Sequence, residues 1–187
     1  MKVTKTKIPS VLLFEPEAFS DARGWFLETF SAARYEQAGI KPAFVQDNIS
    51  FSAKNVLRGL HFQHPHGQGK LVQVLSGEVF DVAVDIRLGS PTFGQWVAEN
   101  LSASNHKQLY VPPGFAHGFC VLSDTAIFSY KCTDYYNSAA EGGVNFSDPD
   151  LNIPWPVTKP IVSSKDMRYP CLKDIPKDKM PKFKEVG

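Results

Sequence analysis

The sequence predicts an all-β fold, an antiparallel double-sheet barrel of jelly-roll type with a few short helices. Three observations carry that prediction. Several short runs alternate apolar and polar residues, 13 Gly and 14 Pro punctuate the chain between them, and helix-forming stretches are scarce. The clearest strand covers residues 78–86. From Phe80 to Ile86 its even positions are apolar, while the odd ones include Asp81 and Asp85. Period two of this kind reads as a half-buried strand. Ser76-Gly77 reads as a turn from the preceding run, 70–75. Further strands are expected at 44–51, 56–63, 95–101, 108–111, 118–122 and 126–133. Turn signals about ten residues apart suit a sandwich or barrel. The best helix runs over 31–38, where Ser31 can cap, Ala32, Ala33 and Glu36 favour helix, and Gly39 can close it. The tail after Asp148 is rich in Pro, Lys and Asp and reads as a surface wrap or short helices. No repeat or low-complexity linker divides the chain, so residues 1–187 are expected to form one domain with a C-terminal wrapping tail.

Composition excludes several function classes. A 43% apolar content rules out disorder of the whole chain, and 20 basic residues against 19 acidic ones argue against a broad nucleic-acid face. Any anionic ligand must be met by a few placed cations. No apolar run approaches the roughly 18 residues of a membrane helix, and the lysine-containing start lacks an apolar stretch of signal-peptide length, so a cytoplasmic protein is expected. Cys120, Cys132 and Cys171 are odd in number and lack CxxC spacing, which speaks against a disulfide scaffold or structural zinc; Cys120 and Cys132 read as buried small hydrophobes.

The chemistry-bearing residues lie in strand-like surroundings. His61 sits in Leu57-Arg58-Gly59-Leu60-His61-Phe62-Gln63 and His117 in Pro112-Pro113-Gly114-Phe115-Ala116-His117-Gly118-Phe119. Alone, either histidine reads as a satisfied structural group. Arg58, Lys70 and Tyr130 accompany them, and long cations on core-facing strands are costly unless a ligand uses them, which favours a polar pocket inside a barrel. Metal is the competing reading. Metal-binding jelly rolls of the cupin superfamily use an HxH pair, a carboxylate three or four residues on, and a distant His. Here His64-Pro65-His66 is followed at the fourth position by Lys70, whose charge opposes a divalent ion, and the pair reads as an exposed turn. Arg58 and His61, three apart, face opposite sides of an ideal strand; both line one pocket only if the strand is irregular, and Gly59 permits a bulge there.

Arg58-Gly59-Leu60-His61-Phe62-Gln63, Gly69-Lys70-Leu71-Val72, Gly77 to Asp85, Ser90-Pro91-Thr92-Phe93-Gly94 and Gly114-Phe115-Ala116-His117-Gly118-Phe119 resemble the dTDP-4-dehydrorhamnose 3,5-epimerase family. Phe44-Val45-Gln46-Asp47-Asn48 and Tyr130-Lys131-Cys132-Thr133 fit as well, and the resemblance runs from about Ile8 to Asp166. It implies a cupin-type jelly roll (a double-stranded β-helix) that works without metal or other cofactor. It also implies a homodimer, a dTDP-sugar substrate, and a reaction that inverts C3 and C5 of dTDP-4-dehydro-6-deoxy-D-glucose through enolates in dTDP-L-rhamnose biosynthesis.

That chemistry needs a base of near-neutral pKa, a proton donor on the opposite face and positive charge at the ketone oxygen. Imidazole suits the first task, and the resemblance implies His61 as base, paired with Asp166. Without the resemblance Asp166, Asp81 and Asp85 are indistinguishable, each reading as a solvated turn or strand-face carboxylate. Tyr130 is implied as the acid, with Tyr135 and Tyr136 as rivals on residue type alone; Lys70 fits enolate stabilisation. Arg58 shares that role or holds phosphate, and His117 is implied in substrate binding. In Asp21-Ala22-Arg23-Gly24-Trp25-Phe26-Leu27-Glu28, the resemblance gives Arg23 to phosphate, Phe26 to base stacking and Glu28 to thymine, with the segment reaching into a partner's site. Read plainly, this is a turn and an amphipathic strand with two core aromatics. Gln46, Asn48, Glu141 and Lys165 match substrate-contacting positions, and Gln46 and Asn48 share one strand face. Three other readings stand beside this one: a single-centre epimerase or ketoisomerase of the same fold, a metal-dependent cupin oxygenase, and a non-catalytic sugar-binding jelly roll.

Overall fold

The computed structural model describes residues 1–41 and 43–183. Among these residues thirteen strands run β1 (Lys2–Lys5), β2 (Leu12–Glu15), β3 (Ala18–Asp21), β4 (Gly24–Leu27), β5 (Gln46–Ala53), β6 (Leu57–Gln63), β7 (Lys70–Ser76), β8 (Glu78–Asp85), β9 (Trp96–Ser102), β10 (Gln108–Val111), β11 (Phe115–Val121), β12 (Thr125–Cys132) and β13 (Glu141–Gly143). Six form one antiparallel sheet in the order β1-β2-β10-β7-β12-β5, and five form a second, β13-β6-β11-β8-β9. The two sheets face each other as the layers of a jelly roll, while β3 and β4 pair only with one another. Every strand expected from the sequence is present, with ends shifted by a few residues. The short strands β1, β2, β3 and β13 were not anticipated.

An apolar core lies between the sheets. Val72, Val74, Val79, Ala83, Val97, Leu109, Phe115, Phe119 and Phe128 meet there, and the Phe119 and Phe128 rings stack at 4.1 Å. The opposite face of the five-stranded sheet is also covered. Leu60, Phe62, Val82, Val84 and Ile86 pack against Leu151, Ile153, Leu172, Ile175 and Met180 from the tail. Each such side chain, fully buried, is worth about 1.5–3 kcal/mol. The tail is therefore structural core rather than a surface wrap alone; it contains short 3-10 turns at Asp166–Arg168, Leu172–Asp174 and Lys177–Lys179. This second layer corrects the half-buried reading of β8. Its even positions face the tail, its odd positions face the barrel interior, and Asp81 and Asp85 are both fully buried.

Among the described residues the single α-helix, α1 (Ala32–Gln37), buries Tyr35 against Phe14, Ile40, Leu71 and Tyr110. Ser31 occupies the N-cap position but its side chain makes no cap hydrogen bond, so packing of Tyr35 fixes this short helix. Gly39 closes it with φ +99° and an N–H donated to the Glu36 carbonyl.

Asp85 explains the Ser90-Pro91-Thr92 motif. Its carboxylate accepts from Arg87 Nε (2.8 Å) and NH2 (2.7 Å), Ser90 Oγ (2.6 Å) and Thr92 Oγ1 (2.6 Å). Burial alone would raise its pKa; the Arg87, Ser90 and Thr92 bonds outweigh burial and hold it below the usual 3.8. Because the folded pKa is depressed, the stabilisation is present above the ordinary carboxylate range and is lost as pH falls through the folded value. Replacing Asp85 with Asn leaves Arg87 without its anion and is expected to cost about 3–5 kcal/mol near neutral pH. Urea unfolding of both proteins should show that gap narrowing below pH 4.

Candidate active site

The site grows from an irregularity in β6. Pairing with β11 sets His61 opposite His117 but Arg58 opposite Phe119, so β6 carries one residue more than its partner between those points. The extra residue puts Arg58 and His61 on the same side, the irregularity expected at Gly59. Only glycine suits that position: φ is +126°, and a Cβ would lie 2.6 Å from the Gly118 Cα. The freed Gly59 N–H donates to Asp166 Oδ2 at 3.2 Å.

Two histidine–carboxylate pairs follow. His61 Nε2 lies 2.8 Å from Asp166 Oδ1, and the Asp166 backbone N–H donates to Ser163 Oγ at 3.1 Å. An ionised carboxylate only accepts, so the neutral ring carries its proton on Nε2 and leaves the Nδ1 lone pair free. Burial pushes the Asp166 carboxyl up, but its bonds from His61, Gly59 and Ser163 together with the His61 charge hold it below the usual range. His117 Nε2 contacts both Asp81 oxygens, at 2.9 and 3.0 Å, deep in the barrel. Residues directly opposite on paired strands point the same way, so His61 and His117 share one interior face. Asp81, one of three indistinguishable carboxylates in the sequence, thus belongs to His117 and is buried, not solvated.

The other wall comes from the six-stranded sheet. Tyr130 stands on β12 opposite Val72 and Asn48, and Lys70 Nζ lies 6.0 Å from its ring centre. Burial raises the Tyr130 hydroxyl above its usual 10, reinforced by Cys132 and offset by Arg58, so the phenol stays protonated through the neutral range. Desolvation pulls Lys70 below 10.5 although Cys132, Asp81 and Glu141 oppose it. Among the described residues Lys70 has no ion-pair partner, unlike Arg23, Arg34, Arg87 and Lys165. Cys120 and Cys132 are buried as expected, and the Cys132 thiol accepts from Asn48 Nδ2 at 3.5 Å. Gln46 Nε2 donates to Asn48 Oδ1 at 3.1 Å, which confirms their shared face. Arg58 Nε donates to Ser52 Oγ at 3.0 Å, and the side chain remains largely exposed.

Glu141, Lys165 and Tyr136 form the rim. Glu141 Oε2 accepts from Tyr136 OH (2.8 Å) and Lys165 Nζ (2.5 Å). Tyr136 also donates its backbone N–H to Gln46 Oε1 at 2.8 Å, so it braces two expected site residues. Tyr169 places its ring 5.9 Å from His61, edge to face. Nothing in the sequence singled out Tyr169 or a rim role for Tyr136. Among the described residues no three His, Cys, Asp or Glu side chains group as a metal would require, and His66 sits exposed in the loop with φ +62°.

Arg23, Phe26 and Glu28 do not join this cluster within the chain. Arg23 pairs with Asp21 at 2.5 Å, Glu28 meets Arg34 at 3.2 Å, and Phe26 is 70% exposed. The plain reading of Trp25 and Phe26 as core aromatics is thereby corrected: both are exposed on the β3–β4 hairpin.

Fold and site together define an isomerase of the cupin-type jelly roll, with the His61–Asp166 pair on one sheet and Tyr130 on the facing one. The family model described as dTDP-4-dehydrorhamnose 3,5-epimerase matches residues 5–174, and the chain belongs to that family. It is 58% identical over 169 residues to the Shigella flexneri dTDP-4-dehydrorhamnose 3,5-epimerase, covering 89% of this chain and 93% of that protein. The Legionella pneumophila 3,5-epimerase, solved in complex with dTDP-4-keto-L-rhamnose, superposes with TM-score 0.96 at 51% identity over 98% of each chain. A dTDP-4-dehydrorhamnose 3-epimerase from Streptomyces niveus is 39% identical over 168 residues, covering 89% of this chain and 81% of that protein.

Gly59→Ala is expected to cost at least about 1 kcal/mol, because the strained φ and the Gly118 backbone leave a methyl no room. Since the same peptide holds Asp166, turnover should fall in the fraction that remains folded. Thermal melting read beside kcat per folded molecule tests both effects.

Proposed function

We propose that the protein epimerises dTDP-4-dehydro-6-deoxy-D-glucose at C3 and C5, giving dTDP-4-dehydro-L-rhamnose for dTDP-L-rhamnose biosynthesis. The observation that carries this reading is the placement of His61–Asp166 on one wall and Tyr130 on the facing one. Inversion requires a proton to leave one face of a carbon and return to the other. His61 Nδ1 takes the proton from the carbon beside the C4 ketone, and the C–H electron pair moves onto the ketone oxygen. Asp166 balances the imidazolium. Lys70, with its charge unpaired, faces the developing enolate oxygen, and buried positive charge acts most strongly where negative charge appears. The Tyr130 hydroxyl then protonates the carbon from the opposite face as the ketone reforms. His61 releases its proton to solvent and Tyr130 regains one, which resets the site for the second carbon. These steps draw on side chains alone, and the reading keeps the enzyme cofactor-independent and cytoplasmic.

Arg58, His117, Gln46, Asn48, Glu141 and Lys165 are assigned to the sugar and diphosphate. Arg23, Phe26 and Glu28 are assigned to the nucleotide held by a second copy of the chain. Support for that homodimer is the hairpin that pairs with neither sheet, together with exposed Ile49 and Phe51 on the edge strand β5.

Incubation with the substrate in D2O, with and without EDTA, tests the reaction. Deuterium uptake at both C3 and C5, unaffected by EDTA, is expected. Exchange at one carbon alone would make it a single-centre enzyme, and EDTA-sensitive turnover would return the metal reading. His61→Asn should lower turnover by about 10²–10⁴ and remove exchange at both carbons while dTDP still binds. Tyr130→Phe should retain part of the exchange but yield little inverted product.

Trans contribution of the hairpin is tested by mixing. His61→Asn and Phe26→Ala subunits, each poorly active alone, should regain about a quarter of parental activity after co-refolding, because half the dimers then hold one intact site. No recovery would place Phe26 and His61 of the same chain in one site.

A further inference from the structure

The His61 ring is held at one nitrogen by Asp166, which leaves rotation and tilt about that bond to be fixed by something else. The Tyr169 ring meets it edge to face with centroids 5.9 Å apart and planes at 70°. Tyr169 cannot easily drift. Its backbone N–H donates to the Asp166 carbonyl at 3.4 Å, its carbonyl accepts from Asn145 Nδ2 at 3.2 Å, and its ring lies flat on Gly143. A Cβ on Gly143 would come within 2.4 Å of that ring, and Gly143 is the residue paired with His61 across β13 and β6. The Tyr169 hydroxyl, by contrast, is buried and makes no hydrogen bond of ordinary geometry; the nearby Lys165 ammonium, bonded to Glu141 at 2.5 Å, tempers the rise that burial gives the phenol. Tyr169 also lines a cavity of about 580 Å³ bounded by Phe62, Gly142, Pro176 and Lys179, so truncating its ring would open that space towards the dyad.

We infer that Tyr169 is a positioning residue whose flat ring, rather than its hydroxyl, sets the orientation of the His61 imidazole and keeps the base nitrogen aimed into the barrel. This rests on His61 being the base. The hydroxyl has no acceptor in the site, whereas the ring meets the imidazole edge to face, so the ring is the part assigned the positioning role. Loss of orientation acts on the chemical step more than on binding, since the sugar and nucleotide contacts lie elsewhere.

The test compares Tyr169→Leu, Tyr169→Met and Tyr169→Phe with the parent and with His61→Asn. Removing the flat ring should lower kcat by about tenfold to a hundredfold while KM stays within about threefold. In the substrate-free protein, the ring-proton NOEs of His61 should change from those of one orientation to those of several, while Asp166 keeps the proton on Nε2. Tyr169→Phe should restore both. Two non-aromatic variants are used so that one folded example, confirmed by its melting curve, suffices. Unchanged kcat and an unchanged His61 ring orientation in Tyr169→Leu or Tyr169→Met would overturn the inference, as would a Phe variant as impaired as Leu. If His61→Asn remains active, the base assignment itself fails; an inactive His61→Asn beside an unaffected Tyr169→Leu overturns only the positioning role.

Discussion

The close approach of β6 and β11 at Gly59 and Gly118 is the constraint on which the site depends. A Cβ on either glycine would strike the other strand's backbone at 2.6 Å. With both side chains absent, β6 can hold one residue more than β11 across that stretch. Three consequences follow from the one irregularity. Arg58 and His61 come to the same side, His61 stands level with His117, and the Gly59 N–H is released from the ladder to meet Asp166. A regular strand would place one of the two side chains towards the tail and leave the carboxylate with one donor fewer.

Burying charge in such a barrel requires each group to be answered. Asp166, Asp81 and Asp85 are three carboxylates solved in three ways: one by a histidine, a backbone N–H and a serine, one by a histidine alone through both oxygens, one by an arginine with two hydroxyls. Lys70 is the exception. Its charge is desolvated, helped only by the more distant Cys132, Asp81 and Glu141, and has no ion-pair partner among the described residues. In a stable core that would be a defect. In the proposed reaction, which develops negative charge on a ketone oxygen, that unspent positive potential is what the enolate would require.

The strands were legible in the sequence because their alternation and turns are local properties. The face they present was not. Phe80 to Ile86 reads as one apolar face, and the sequence cannot announce that tail residues such as Leu151, Leu172 and Met180 will cover it, leaving Asp81 and Asp85 on the interior side. Pairings across the chain were equally hidden: His61 and Asp166 are 105 residues apart, and only resemblance chose Asp166 over its rivals. Gly59 was different, since the three-residue spacing of Arg58 and His61 conflicts with strand period and forces a bulge. Tyr169 carried no signal, because its neighbours in the site come from other elements. The N-terminal strands escaped because a four-residue segment such as Lys2–Lys5, exposed at every position, has no alternation to read.

The barrel's own filling bears on how the nucleotide would be held in the proposed reading. Stacked Phe119 and Phe128, with Val74, Val79 and Leu109, fill the space between the sheets beside His117 and Tyr130. In the proposed reading the keto-sugar would lie between the two facing walls, one for each face of the ring. The diphosphate and base would then extend beyond the rim formed by Glu141, Lys165 and Tyr136. An element that pairs with neither sheet is suited to meet them, because it can present Arg23, Phe26 and Glu28 without disturbing the walls. Within one chain those side chains pair locally or stand in solvent. Assembly of two copies would convert an exposed, apolar hairpin into the missing half of a site and tie catalysis to the dimer.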